Sequence, residues 1–203
     1  GTPGVRFGPY RTVSFDGCGS IKTPDSERNR DWLGRCPHGG YPQVELMTLV
    51  ETGTRSVIAA VFGPAREGET SHAMRLLQHL RPDMLVLWDR GFDGNDFLAA
   101  VHATGARIVG RIRQRRRPPV LKTLTDSSYL SVIGGVPVRI IEATVHVTCT
   151  NGNSFEGSYR LVTTLLDAQR YPAERLVSLY HERWEHESAY YALRHTILHG
   201  RVL

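Results

Sequence analysis

Cysteine is scarce in this 203-residue chain, which contains three widely separated examples. No two of them have the Cys-x-x-Cys spacing, so the sequence indicates neither a zinc site nor a disulfide framework. A reduced, intracellular setting is therefore expected. Long apolar runs are also missing: none could span a bilayer, and no secretory signal is visible. These absences argue against membrane and exported classes.

Acidic residues are outnumbered, since 25 Lys and Arg against 20 Asp and Glu give a net charge of +5. This balance weakly favours a polyanionic partner. Hydrophobic residues make up 40% of the chain, which is enough for a sizeable core. The length fits one domain, or one domain with an insertion. Because the chain begins at Gly1 rather than Met, we expect a fragment of a longer protein.

The most informative stretch is a predicted helix from Tyr180 to Arg194, which contains neither Gly nor Pro. At about 100° per residue, Tyr180, Arg183, Glu187 and Arg194 fall within an arc of about 60°. Apolar residues flank this arc, so it faces inward. Buried charges need partners. Either Arg183 and Glu187 pair to hold the helix in register, or the carboxylate serves a metal and the Arg and Tyr serve a phosphate.

This spacing resembles the YREK signature of transposases of the insertion sequence 4 family. Tyr180, Arg183 and Glu187 match the signature, and Arg194 replaces its Lys. Trp184, which follows the Arg, also fits the family. These enzymes are DDE transposases with a ribonuclease-H-like fold. The resemblance therefore implies two catalytic aspartates upstream.

The first candidate is Asp16, at the end of a strand predicted over Arg11 to Asp16 and terminated by Gly17. Taken alone, Asp-Gly is typical of a turn. The family places its first catalytic Asp on the first strand, commonly before a small residue, and Asp16 fits that description.

The second candidate is Asp89. The continuous apolar run from Met84 to Trp88 predicts a strand buried on both faces. Asp89 follows at its carboxyl end, where ligands gather in open α/β sheets. The sequence Asp-Arg-Gly-Phe also resembles the second motif of the family, an Asp with Gly-Phe or Gly-Tyr shortly after.

The resemblance implies that Asp16, Asp89 and Glu187 hold two divalent ions, with Mn²⁺ able to replace Mg²⁺. Two such ions about 4 Å apart can activate the attacking oxygen and stabilise the leaving oxygen at a phosphodiester. Carboxylate oxygens are hard ligands that suit Mg²⁺.

Four other residues of the signature helix would contact DNA. Arg183 and Arg194 would neutralise phosphate oxygens. Tyr180 would donate a hydrogen bond to another phosphate oxygen, and Trp184 would stack on a base. For Tyr180 and Trp184 the alternative is ordinary core packing.

A run of arginines, Arg113, Arg115, Arg116 and Arg117, follows a strand predicted over Arg107 to Ile112. One interpretation is a solvated, partly disordered loop. The other is an arm that binds DNA phosphates without reading sequence, because the run lacks aromatic residues that could stack on bases.

The remaining patterns predict an α/β fold. Strands are expected at 11–16, 43–52 and 55–62, helices at 69–80 and 95–104, and a long loop at 21–40. The three strands in meander order match the opening of a ribonuclease-H-like mixed sheet flanked by helices.

The segment from Val120 to Leu166 is β-rich, with strands expected at 136–141, 143–150 and 158–165. The family carries a β-rich insertion before the last catalytic helix. We therefore expect 1–117 to be the first part of the core, 118–166 the insertion and 167–203 the catalytic helix region.

The function implied by the resemblance is metal-dependent cleavage and strand transfer at transposon ends. The implied partner is double-stranded DNA, with a homodimer on it, in a bacterial cytoplasm at the nucleoid. Two alternatives stay open. One is a ribonuclease-H-like nuclease of other biology, against which the Tyr and Arg of the signature argue. The other is a catalytically inactive DNA-binding remnant, which Arg194 in place of Lys favours.

Overall fold

The computed structural model describes residues 5–34, 40–148 and 154–181. The described residues fall into two compact units, one up to Leu80 and the other from Arg81 to His181. The predictions for Arg183, Trp184, Glu187 and Arg194 lie outside the described residues.

The first unit contains the expected antiparallel meander. Its described elements are β1 (Arg6–Phe7), β2 (Tyr10–Lys22), α1 (Glu27–Leu33), β3 (Gln43–Glu51), β4 (Val57–Pro64) and α2 (Glu69–Leu76), with a 3₁₀ turn at Leu77–His79. Strand β2 pairs with β1 and β3, and β3 pairs with β4, in each case antiparallel. The strands and the helix predicted from periodicity are thus present.

Strand β2 is longer than predicted, because Gly17 does not end it. Asp16 lies within the strand opposite Thr48, and Gly17 lies opposite Met47. A Cβ at Gly17 would stand 3.0 Å from Glu69 Oε1 and 3.1 Å from Met47 Cε. A side chain at position 17 would therefore crowd a helix and the neighbouring strand. The prediction that Gly17 ends the strand was wrong, since the pairing with β3 continues through it.

The loop predicted at 21–40 contains a short helix. Ser26 caps α1 by accepting a hydrogen bond from the Asn29 backbone N–H at 3.2 Å. The pattern was missed because this single polar helix, which buries only Leu33, has almost no apolar periodicity.

The second unit contains a mixed sheet. Its described elements are β5 (Met84–Trp88), α3 (Asn95–Ala103), β6 (Arg107–Ile112), β7 (Lys122–Thr123), β8 (Tyr129–Ile133), β9 (Val136–Thr148), β10 (Ser154–Thr163) and a helix, α4, over 173–181. The strand order is β5-β6-β10-β9-β8-β7. Strands β5 and β6 are parallel, joined through α3, and the other pairs are antiparallel.

The β-rich segment extends this sheet. Strand β10 pairs with β6 in the register Arg160 opposite Ile112 through Thr163 opposite Val109. The two strands expected at 136–141 and 143–150 form one continuous β9, in which Glu142 is simply an outward-facing position between buried neighbours. A polar residue was thus mistaken for a strand end.

An aromatic cluster holds β5 and the segment that follows it. The Trp88 ring meets Phe97 edge-on with centroids 5.5 Å apart, and Phe97 meets Phe92 at 5.2 Å. All three side chains are buried. The Trp88 indole also packs against Gly110 of β6, where an added Cβ would collide with the indole nitrogen. Glycine at this position therefore lets the bulkiest residue of β5 fit beside the neighbouring strand.

An ion pair between a buried arginine and a partly exposed aspartate fixes the start of α4. Arg139 is fully buried and pairs with Asp126, while its guanidinium also donates to Ser128 Oγ at 2.7 Å and to the Tyr171 carbonyl at 2.7 Å. Asp126 Oδ2 accepts in turn from the Ala173 N–H at 3.1 Å. Burial acts to raise the pKa of Asp126, but the Ser128 hydrogen bond and the Arg139 charge outweigh it and the pKa lies below its ordinary value.

Replacing Gly110 by Ala should destabilise the protein by about 1–3 kcal/mol, because the new methyl group overpacks the contact with Trp88. Urea unfolding followed by Trp fluorescence measures this. The matched control is Gly19→Ala, where a Cβ meets nothing within 4 Å, and a change within about 0.5 kcal/mol is expected there. Equal stability of the two variants would contradict the packing argument.

Asp126→Asn should cost roughly 1.5–3 kcal/mol at neutral pH, the range for a hydrogen bond to a charged group. Since the folded-state pKa of Asp126 is depressed, its stabilisation is present above the ordinary value of 3.8 and is lost as the pH falls below it. The difference between wild type and variant should therefore shrink between pH 6 and pH 3 in urea titrations. The exposed Asp83→Asn is the control, and a difference that stays constant with pH would refute the assignment.

Candidate functional site

Asp89 stands at the carboxyl end of β5, and the chain folds back on its side chain at once. Its carboxylate caps the 3₁₀ turn Arg90–Phe92 by accepting a hydrogen bond from the Gly91 N–H at 2.7 Å. A Cβ at position 91 would lie 2.9 Å from Asp89 Oδ1. The Gly of the Asp-Arg-Gly-Phe motif is therefore required so that the carboxylate can approach the backbone.

Phe92 anchors the same turn in the core. It is buried against Phe97 of α3, whereas Asp89 is half-buried and Arg90 is exposed. The motif thus combines one buried ring, Phe92, with two polar side chains, Asp89 and Arg90, that reach the surface. A turn held this way presents Asp89 in one orientation.

The arginine run begins at the same edge of the sheet. Because β5 and β6 are parallel, with Trp88 opposite Gly110, their carboxyl ends lie side by side. Asp93 Oδ2 accepts a hydrogen bond from the Arg113 N–H at 2.9 Å, and the Arg116 guanidinium contacts both Asp93 Oδ1 and Asn95 Oδ1.

The run is also held from the opposite side. One guanidinium nitrogen of Arg160, on β10, donates to the carbonyls of Arg113 at 3.3 Å, Arg116 at 2.6 Å and Gln114. The Arg116 N–H donates to the Arg113 carbonyl at 3.0 Å, which closes a turn. The run is therefore a hydrogen-bonded turn, and the expectation of a partly disordered loop does not describe it.

Its arginines are not equivalent. Arg113, Arg115 and Arg117 are exposed, whereas Arg116 is engaged by Asp93 and Asn95. The Arg117 guanidinium also donates to the Gln114 and Arg116 carbonyls of the turn. An open groove of about 800 Å³ lies beside the turn. Its lining includes Arg115, Arg117, Pro118, Tyr129, Glu142 and Tyr159.

Asp16 lies on β2 of the first unit and is half-buried. Its backbone carbonyl accepts a hydrogen bond from Thr48 Oγ1 at 2.9 Å, in register with the β2–β3 pairing. The strand placement expected from the resemblance is confirmed, although the residue lies within the strand rather than at its end.

Tyr180 is 2% exposed, and its ring packs on Tyr159 with centroids 6.0 Å apart. Burial raises the pKa of Tyr159 to about 12, so its hydroxyl stays protonated beside His181 Nε2 at 2.5 Å. The burial of the Tyr180 ring matches the core-packing alternative.

Within residues 5–34, 40–148 and 154–181, no group of three His, Cys, Asp or Glu side chains is placed to hold a metal ion. Glu187, the third expected ligand, lies outside those ranges. No helix in the same ranges is long and apolar enough to cross a membrane. Asp93 and Asn95 were missed by sequence reasoning, because their partner Arg116 lies more than twenty residues away and no local spacing links them.

Residues 12–201 match the family described as the transposase DDE domain. Transposase InsG for insertion sequence element IS4, from Escherichia coli, is 24% identical over 196 residues, which cover 89% of this chain and 43% of that protein. The putative transposase InsZ of the same organism is 27% identical over 97 residues, covering 45% and 32% of the two chains. The chain therefore spans less than half the length of these relatives.

A solved structure of piggyBac transposase, in a synaptic complex with hairpin DNA, superposes with a TM-score of 0.51 at 12% identity. The match covers 90% of this chain and 40% of that one. At this identity the likeness concerns the fold, and it confirms the expected ribonuclease-H-like α/β class. The InsG relative confirms the resemblance to insertion sequence 4 transposases. With a family match over nearly its whole length, the chain belongs to the transposase DDE domain family.

Proposed function

We propose that this chain is the catalytic core of a DNA transposase, which cleaves and transfers phosphodiester bonds at transposon ends. The family match and the transposase relatives support this function. The structural observation that carries it is Asp89, a half-buried carboxylate at the end of a buried strand, oriented by the Gly91 N–H.

Asp16, Asp89 and Glu187 are proposed as the metal ligands. The chemistry of Asp89 fits this role, because its Oδ1 is engaged by Gly91 while no described residue donates to its Oδ2. Divalent ions, which the family typically uses, would here be Mg²⁺ with Mn²⁺ as a substitute, and would activate the attacking oxygen and stabilise the leaving one. The task of the three carboxylates is to bind and orient, since DNA cleavage by this class is an in-line displacement.

DNA contacts are proposed for the exposed arginines of the turn at 113–117. Arg113 and Arg115 are exposed on a backbone held by Arg160, so binding phosphates would cost mainly the conformational entropy of their own side chains. Arg117 is exposed as well, and its guanidinium would exchange its bonds to the Gln114 and Arg116 carbonyls for phosphate oxygens. Arg116 is assigned instead to holding the turn. The piggyBac relative is seen with hairpin DNA, which supports a DNA partner here.

The signature helix completes the proposal from sequence alone. Arg183 and Arg194 would bind phosphate oxygens, and Trp184 would stack on a base. A homodimer on DNA, acting at a bacterial nucleoid, belongs to the same proposal. The inactive DNA-binding remnant is the competing function, and metal-dependent nicking separates the two.

Asp89→Asn should reduce Mn²⁺-dependent nicking of supercoiled plasmid on the order of 100-fold, or about 2.7 kcal/mol of barrier, because a metal ligand loses its charge. Isothermal titration with Mn²⁺ provides a second readout. Asp83→Asn makes the same chemical change at an exposed position before β5, and it should nick like wild type. Wild-type protein that binds DNA but never nicks it with either metal would establish the remnant instead.

Arg115→Ala should lower the slope of log affinity against log salt by about 0.9, the value for one lost phosphate contact, and Arg113→Ala should add a similar change. Fluorescence anisotropy with a short duplex at several salt concentrations measures the slope. Arg81→Ala, which removes the same charge from an exposed position in the same unit, should leave the slope unchanged. If Arg81→Ala and Arg115→Ala behave alike, the turn does not contact phosphates.

A further inference from the structure

Asp93 joins two segments that the proposed function uses separately. It stands four residues after Asp89 and ends the 3₁₀ turn whose first backbone groups hold the Asp89 carboxylate. Its own carboxylate accepts hydrogen bonds from the Arg113 N–H and the Arg116 guanidinium of the arginine turn. One carboxylate therefore ties the Asp89 loop to the turn that carries the exposed arginines.

The pair is well removed from solvent. The side chain of Asp93 is 3% exposed and that of Arg116 is 21% exposed. Arg116 is further fixed by Asn95 Oδ1 and by the Asp93 carbonyl at 3.3 Å. Breaking the pair would leave the buried Asp93 carboxylate without its partner, and this cost opposes independent movement of the two segments.

Other contacts already hold each segment in the fold. Phe92 anchors the Asp89 loop against Phe97, and Arg160 holds the carbonyls of the arginine turn. If only the Asp93–Arg116 pair were lost, the arginine turn would stay attached to β10 and the loop to α3. What would be lost is the alignment between them.

We propose that Asp93 is a positioning residue, which through Arg116 couples phosphate binding by the turn at 113–117 to the orientation of the Asp89 carboxylate. The inference rests on the proposed function of both sites. DNA on the exposed arginines holds the turn in one place, Asp93 transmits that placement, and the Gly91 N–H keeps the Asp89 carboxylate aligned for a metal ion. Since coupling free energy is reciprocal, Mn²⁺ should also tighten DNA binding.

The test measures the dissociation constant of Mn²⁺ by electron paramagnetic resonance, with and without a short duplex, in the 203-residue chain. In wild type, DNA should raise the Mn²⁺ affinity about tenfold, within the usual range of coupling. In Asp93→Asn this ratio should fall at least about threefold, while the salt dependence of DNA binding stays the same. The electrostatic attraction between the DNA phosphates and Mn²⁺ is retained in Asp93→Asn. A fall in the ratio of Mn²⁺ affinities with and without DNA therefore reports the loss of the Asp93–Arg116 contact.

Hydrogen exchange of the Gly91 amide gives a readout that does not need catalysis. Its protection should rise on DNA binding in wild type and stay unchanged in Asp93→Asn. Asp96→Asn, at an exposed position three residues away in the first turn of α3, is the matched control and should behave as wild type. Arg116→Gln tests the pair from the other side, and the double variant should show no further loss, because both changes break one interaction.

The inference would be overturned if the ratio of Mn²⁺ affinities with and without DNA were unchanged in both Asp93→Asn and Arg116→Gln, whatever their melting temperatures. The Asp93–Arg116 pair would then have a structural role only. That outcome is distinct from failure of the proposed function, which would appear as wild type that binds no Mn²⁺ or no DNA and would overturn both proposals. If Asp93→Asn does not fold, Arg116→Gln alone decides, since it keeps the Asp93 carboxylate and its bond to the Arg113 N–H.

Discussion

Parallel pairing of β5 with β6 is the constraint on which the second unit depends. Two parallel strands joined through α3 must end at the same edge, and that edge receives both the Asp89 loop and the arginine turn. Within this pairing Gly110 leaves room for the Trp88 indole. A single absent side chain thus permits the buried strand that positions the proposed metal ligand.

Charge in this unit serves two different purposes. Arg116, Arg139 and Arg160 donate to carboxylates, hydroxyls or carbonyls within the fold. Arg113 and Arg115, in contrast, lie exposed. A net charge of +5 cannot distinguish these groups. Part of the basic character that indicates a polyanionic partner is in fact used to hold the backbone from which the exposed arginines extend.

The β-rich segment has a structural part in the site that its composition does not reveal. Strand β10 extends the sheet beside β6, and its Arg160 braces the turn that follows β6. Arg139 of β9 and Asp126 then fix the first residues of α4. The segment between the second aspartate motif and the signature helix therefore orders groups on both sides of it.

Local pattern was sufficient for the elements whose signal lies within a few residues. The apolar run of β5, the position of Asp89 after it, and the helices α2 and α3 follow from periodicity and from turn chemistry. The resemblance to insertion sequence 4 transposases was likewise visible in the sequence, and the family match and the InsG relative confirm it.

Tertiary structure alone decided the rest, because those features depend on contacts between residues far apart in the chain. The sequence predicts that Gly17 ends a strand, whereas β2 continues through it in register with β3. Arg116 looks like its neighbours until Asp93, at a separation of 23 residues, engages it. Sequence spacing reports which face of an element a residue occupies, whereas the partner on that face is chosen by how the elements pack.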